Sequence, residues 1–482
     1  MPSSVLPILY LATAHAALML AAFLVAWWPQ AIVGFFYHAW MAAIVHLVTL
    51  GWITFSILGA VYIVGPMALR MPMPVRRGDY VAFACALIGV VGMVAHFWIG
   101  EFGGMAWSAA LAAADVFYVS VRIVGALRRS TMPAASRMHI AFACANIAIA
   151  ATAGILIAFD KTLHFLPGFV IANVFAHAHL AALGWATMMV VGVAYRMLPM
   201  VLPSRMPTGR AIVVGALLME SGVLALFGTL VVRSRWSIAA GLTIVGGLAT
   251  FLNDVAWMVR SRVRRPAGAP HADFAVLHAA AAGCWLLFAI AAGIALLALP
   301  MTPLTLRLAA AYGCAGLVGF LAQTVIGMEA RVVPMLTWYW AYARREFRVA
   351  PTPPLQMREP ALQAIVFAGW TIGVPALAVG LFFEAPRVVA AGGWAMLAAT
   401  AVSALDGAFV VAHIRMRNSE LAIRNPQLAM RVQSRKTSLR ARFAAKYPQN
   451  PCTPPPGGVD AEQRYTPLSG VEYVRHVGRA KN

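Results

Sequence analysis

The chain has 482 residues, of which 61% are hydrophobic and only 11% are charged, and this composition excludes a soluble globular protein. The net charge of +21 does not indicate a nucleic-acid-binding surface, because the basic residues fall in alternate loops between apolar runs. We therefore expect a lipid bilayer, and no nucleic acid, as the partner that the composition requires.

Twelve apolar runs are each long enough to cross a hydrocarbon core of about 30 Å, so the sequence predicts an all-α integral membrane protein with twelve transmembrane helices. In chain order the runs lie near 5–28, 38–66, 79–100, 106–127, 138–159, 168–200, 211–232, 236–259, 274–299, 306–335, 361–383 and 388–414. They belong to a membrane domain over 1–416. The remainder, 417–482, is basic and rich in proline, and we expect a disordered cytoplasmic tail.

The loops differ in charge from one side of the predicted membrane domain to the other. Those that follow the even-numbered runs carry eighteen arginine residues, and the opposite loops carry five basic residues: Lys161, Arg233, Arg235, Arg307 and Arg387. The positive-inside rule then predicts that both termini lie in the cytoplasm. We expect the chain in a bacterial-type cytoplasmic (inner) membrane.

One motif occurs twice, once in the second run and once in the sixth. His46-Leu-Val-Thr-Leu-Gly-Trp-Ile-Thr recurs as His179-Leu-Ala-Ala-Leu-Gly-Trp-Ala-Thr, and ten of the 22 aligned positions are identical. A step of 135 residues beyond His179 reaches Cys314 in the tenth run, where the glycines are kept and the histidine is lost. A copy every four helices predicts three four-helix arcs about a pseudo-threefold axis. The glycines can admit either a neighbouring helix or a flat cofactor.

Intramembrane histidines are the first candidates for a functional site, because burying an ionisable group in lipid is costly. His46 and His179 lie in the repeated motif, in the predicted outer half of the bilayer. His177 and His179 project about 200° apart on a helix, so one ion does not readily bind both, whereas two planar cofactors could each take one imidazole. We predict His46, His177 and His179 as metal ligands, and His15 in the first run as a further cofactor ligand.

Buried acidic residues form a second set of candidates. Glu220, Glu329 and Asp406 lie within apolar runs, and they can either carry protons to a redox site or pair with neighbouring polar side chains. The sequence leaves both interpretations open.

The segment from His177 to Trp185, continued by Gly192, Tyr195 and Pro199, resembles the haem-bearing helix of the haem-copper oxidase superfamily, especially the C-type oxidase and nitric oxide reductase catalytic subunits. The resemblance implies twelve helices in three arcs and haem, of b type, held by His177 and His179, with His46 as a further ligand. It also implies a role in respiratory electron transfer or in handling O₂ or NO, with a cytochrome c-type donor or other respiratory subunits as partners.

The chain departs from that family at the copper site. The adjacent histidine pair that holds copper there is missing from the seventh run, Ala211 to Val232, so copper-dependent oxygen reduction is not expected, and catalysis itself is left open. A looser resemblance to NnrS-type proteins implies a haem- and copper-bearing protein of the nitric oxide stress response. The sequence is also compatible with a cofactor-free transporter and with a membrane sensor or scaffold.

Overall fold

The computed structural model describes residues 5–263, 273–342 and 353–412. Twelve helices in these ranges are long and apolar enough to cross a membrane, as predicted, and the described residues contain no strand. In chain order α1 to α12 are Val5–Trp27, Ala39–Met67, Arg77–Ile99, Phe102–Leu127, Ala134–Leu163, Val170–Val201, Arg210–Val231, Ser237–Arg260, Phe274–Ala298, Pro303–Tyr342, Pro360–Phe382 and Pro386–Ala412. The predicted tail lies outside the described residues.

The prolines of the repeated motif do not end all three helices. Helices α2 and α6 end one and two residues after Pro66 and Pro199, but α10 continues past Pro334 to Tyr342. Proline removes a single backbone donor and crowds the preceding turn, so the residues that follow it can remain helical. This difference makes α10, at 40 residues, longer than the run predicted from the sequence.

Each copy of the motif contains one stretch of π-helix, which the sequence did not predict. The three stretches are Leu47–Thr54, Leu180–Thr187 and Ala315–Ala322, and each begins directly after His46, His179 or Cys314. They have the same length and the same position in the repeat, and they contact one another inside the membrane domain. π-Helical turns are rare and frequently occur at functional sites, so the residues beside these three stretches are candidates for a functional site.

In every copy, the repeated glycines pack against the helix that precedes the motif helix in the chain. A Cβ on any of them would lie 2.5–2.9 Å from a facing side chain, so each position accepts only a hydrogen without a shift of its neighbour. The pairs are Gly51 with Ala17, Gly59 with Tyr10, Gly184 with Asn146, Gly192 with His139, Gly319 with Trp285, and Gly327 with His278. Close packing of helices therefore accounts for these glycines, and the facing residues are seven apart on α1, α5 and α9 alike.

Two tryptophans of the motif connect the copies to one another. The indole N–H of Trp52 in the first copy donates to the carbonyl of Ala322 in the third, at 3.4 Å. The indole of Trp185 in the second copy donates to the hydroxyl of Thr54 in the first, at 3.1 Å. Ala322 and Thr54 hold the same position in their copies, so both bonds follow one cyclic order. This order supports the three-arc arrangement, which stays a prediction.

Substituting Gly184 by alanine tests whether this packing is tight. The added methyl would meet the Asn146 side chain at 2.9 Å, and we expect a loss of stability of about 1–3 kcal/mol, as for overpacked cores. Gly283→Ala on α9 is the matched control, because nothing lies within 4 Å of its added Cβ. Thermal unfolding in detergent measures both variants, and equal midpoints would contradict the packing.

Candidate functional site

A large cavity, of about 1220 Å³, lies among the helices of the membrane domain. Its walls are made chiefly of aliphatic and aromatic side chains. His46, His177 and His179 all line it, and so does Cys314, which holds the histidine position in the third copy. The structure therefore brings three of the four predicted histidines to one apolar space.

The ring of His46 is fixed by its own helix. Its Nδ1 donates to the backbone carbonyl of Ala42 at 2.7 Å, and its ring stacks on Phe97 with centroids 5.2 Å apart. Because a carbonyl only accepts, Nδ1 carries the proton and Nε2 keeps its lone pair. An imidazole oriented by such a bond is prepared to ligate a metal through Nε2.

His177 is oriented by a neighbouring helix instead. Its Nδ1 donates to the carbonyl of Ala150 on α5 at 2.9 Å, which again leaves the lone pair on Nε2. A Cβ on Gly154 would lie 2.9 Å from Cε1 of this ring, so the glycine provides the space that the imidazole occupies. Within the described residues neither the Nε2 of His177 nor that of His46 has a hydrogen-bond partner.

His179 has both ring nitrogens engaged. Its Nδ1 donates to the carbonyl of Phe175 at 2.8 Å, and its Nε2 accepts from the hydroxyl of Tyr312 at 3.2 Å. The two rings also stack, with centroids 6.0 Å apart. His177 therefore approaches α5 and His179 approaches α10, in agreement with the angular separation expected on a helix. A ligand at His179 would have to displace the tyrosine hydroxyl.

Tyr312 is a site residue that the histidine pattern did not reveal. It lies 135 residues after His177, so the third copy has tyrosine where the second has its additional histidine. Its ring lies against Gly293, at 3.2 Å from an added Cβ, much as His177 lies against Gly154. Applying the repeat spacing to His177 as well as to His179 would have identified it.

His15 does not line the cavity. Its Nδ1 donates to the carbonyl of Leu11 at 3.0 Å, and its Nε2 lies 3.5 Å from Oε2 of Glu329. The edge of the ring meets Trp52, with centroids 5.1 Å apart. Because its free nitrogen approaches a carboxyl group and not the cavity, we leave His15 out of the proposed cofactor site.

The three acidic candidates separate into two places. Glu220 accepts from the amide of Asn146 at 2.7 Å, and that amide also donates to the carbonyl of Gly184. Glu329 and Asp406 instead share a contact with Arg358, which donates to the Asp406 carboxylate at 2.7 Å and to the backbone carbonyl of Glu329 at 3.2 Å. The structure thus brings Glu329 and Asp406 together and places Glu220 apart from them.

Two basic residues line the cavity, Lys161 in the last turn of α5 and Arg233 in the loop after α7. Lys161 donates to the hydroxyl of Tyr37 at 2.5 Å, and the guanidinium of Arg233 lies over the ring of Phe169 at 5.4 Å. In the described part of the chain no carboxylate pairs with either cation. An apolar cavity with two unneutralised cations suits an amphipathic ligand that carries carboxylate groups.

The donor set suits haem better than an ion held by protein ligands alone. Across the described ranges no three His, Cys, Asp or Glu side chains form a group that could hold a metal ion. Haem brings four nitrogens of its own and requires only axial ligands from the protein, which Nε2 of His46 or of His177 could supply. A porphyrin would require apolar walls, and its propionates would require cations such as Lys161 and Arg233.

No protein-family model matches the chain, and no curated protein matches its sequence. The fold and cavity define the class as an α-helical, multi-pass membrane protein.

Proposed function

We propose that this chain is a membrane haem protein, similar in type to oxidase subunit I, that acts in respiratory electron transfer or in the handling of O₂ or NO. The observation that carries the proposal is the meeting of three oriented histidines at one apolar cavity. A bound haem of b type would supply an iron that exchanges one electron or takes a diatomic gas. We further propose the bacterial-type inner membrane, with both termini cytoplasmic and a cytochrome c-type donor or other respiratory subunits as partners.

Different residues of the chain would contribute in different ways to holding such a group. The backbone carbonyls of Ala42 and Ala150 keep the His46 and His177 rings oriented and increase the basicity of each Nε2. Tyr312 holds the His179 nitrogen by a hydrogen bond. The aliphatic walls exclude water, which strengthens the electrostatic interactions made inside the cavity.

The iron and haem content of the purified full-length protein tests this proposal. We expect iron and extractable haem in equal, near-stoichiometric amounts from a host that is supplied with haem. His46→Ala and His177→Ala are each expected to lower that content, while His96→Ala is not. His96, like His46, donates from Nδ1 to a carbonyl of its own helix, but it does not line the cavity. Protein that is free of iron and haem would contradict the proposal.

A second candidate function follows from the cavity and its cations. An apolar space of about 1220 Å³ lined by Lys161 and Arg233 would also suit an amphipathic anion carried across the membrane as cargo. This second function predicts saturable uptake of an anion into vesicles by protein that contains no haem. The three motif copies, however, run in the same direction, whereas many carriers use inverted repeats around a broken helix.

The two cavity cations allow a prediction about ligand affinity. Lys161→Gln and Arg233→Gln are each expected to increase the rate of haem loss by roughly two- to fivefold, the value of an exposed ion pair. Transfer of haem to a scavenging apoprotein measures that rate. Arg235→Gln is the matched control, since Arg235 lies two residues from Arg233 but does not line the cavity. An equal rate in all three variants would contradict the role of these cations.

A further inference from the structure

We infer that His15 and Glu329 form a buried proton-binding site, which holds one proton between them and exchanges it with the arginine-rich face of the membrane. Nε2 of His15 and Oε2 of Glu329 lie 3.5 Å apart, and neither atom has a hydrogen-bond partner among the described residues. Glu329 is 4% exposed. The site is separate from the cavity and does not depend on the proposed haem.

The remaining polar atoms of the pair are engaged and define where the proton lies. Nδ1 of His15 donates to the Leu11 carbonyl, and the Ser56 hydroxyl donates to Oε1 of Glu329 at 3.1 Å. Only Nε2 and Oε2 are left to share a proton. A protonated carboxyl group that donates to Nε2 and an imidazolium that donates to the carboxylate are two positions of that same proton.

Neighbouring charges set the number of protons at one. Among the described residues Arg358 donates to the backbone carbonyl of Glu329 and to the carboxylate of Asp406, while α2 contributes Ser56 and Trp52 to the surroundings of the pair. Arg358 is already balanced by Asp406, whose other hydrogen bonds come from the Gln363 amide and the backbone N–H of Glu359. With no proton the pair would be a buried anion, and with two protons a buried cation, and both are unfavourable inside a membrane.

The surroundings indicate the side from which the proton arrives. Arg358 lies two residues before α11 and follows the arginine-rich loop after α10, so the Arg358–Asp406 pair connects the site with that face. The indole of Trp52 meets the edge of the His15 ring. The site is therefore placed to exchange a proton with the arginine-rich face.

Infrared difference spectra of the full chain in lipid, recorded between acidic and alkaline buffer in H₂O and D₂O, test this inference. We expect a titrating carboxyl signal that Glu329→Gln removes and that His15→Asn shifts in pH, because the two groups share one proton. Glutamine can still accept from Ser56 and can donate to Nε2, so this variant should fold, which thermal unfolding checks. Glu220→Gln is the matched control, as Glu220 has Asn146 for a partner, and it should keep the signal.

Two results would overturn the inference. The first is a set of spectra in which Glu329→Gln equals the wild type, because the carboxyl group would then not titrate. The second is a Glu329 signal whose titration is the same with and without His15, because the proton would then not be shared. If Glu329→Gln failed to fold, the comparison of His15→Asn with the wild type would decide, and an unshifted signal would contradict the shared proton.

Discussion

Replacement of His177 by alanine is expected to lower the haem content of the purified protein by at least about tenfold. Loss of a group that only orients a metal ligand already lowers metal affinity by about that factor, and His177 would be a ligand itself. His177 has a free Nε2 on the cavity, a fixed tautomer and a carbonyl partner on another helix. Alanine removes the ligand and retains the helix. Absorbance of the haem band per mole of protein measures the effect.

The control for this variant is His96→Ala. His96 donates from Nδ1 to its own helix at Gly92, as His46 does at Ala42, but it lies outside the cavity. We expect wild-type haem content in this variant. Full haem content and an unchanged spectrum in His177→Ala would remove His177 from the site, and the same result in His46→Ala and His179→Ala as well would reject all three ligands.

Substitution of Gly154 by valine is the second change with a large expected effect, although it leaves every histidine in place. The new side chain would occupy the space of the His177 imidazole, since even a Cβ there lies 2.9 Å from Cε1. The ring must then rotate away from the Ala150 carbonyl, and both its tautomer and its direction are lost. We expect a loss of haem similar to that of His177→Ala, again by at least about tenfold.

Gly125→Val on α4 is the matched control for that substitution, because its added Cβ meets nothing within 4 Å. Both variants receive the same side chain in a membrane helix, so the decisive difference is the position relative to His177. The comparison of the two haem contents requires that both variants have equal thermal stability. Retention of haem and of the wild-type spectrum in Gly154→Val would show that the imidazole position is not required.

The membrane fold could be predicted from the sequence because its signals are local. Length and apolar composition suffice for α1 to α12, as a stretch of about 20 apolar residues has few alternatives to a helix in lipid. The repeat was also visible, since Gly51, Gly184 and Gly319 each lie five residues after His46, His179 or Cys314. The sequence left open whether these glycines admit a helix or a cofactor, and the contacts with Ala17, Asn146 and Trp285 decide for the helix.

The candidate site could be predicted only in part, because its other features depend on contacts between distant segments. The sequences of the π-helical stretches contain no evident local signal for this conformation. The residue types of Leu180–Thr187 are equally compatible with an α-helix. Tyr312 approaches His179 from a helix 133 residues away, and His15 meets Glu329 across more than 300 residues. Position within an apolar run alone therefore favours a ligand role for His15, and only the structure, through its contact with Glu329 and its place outside the cavity, separates it from His46.

The reduced-minus-oxidised absorption spectrum of the purified full-length protein tests the proposal of a haem protein most directly. The protein should be produced in a haem-replete host and purified without added haem. We expect a Soret band and the visible bands of a b-type haem, in proportion to the iron content, and their loss in His177→Ala. A protein that is folded and free of any Soret band would contradict the proposal.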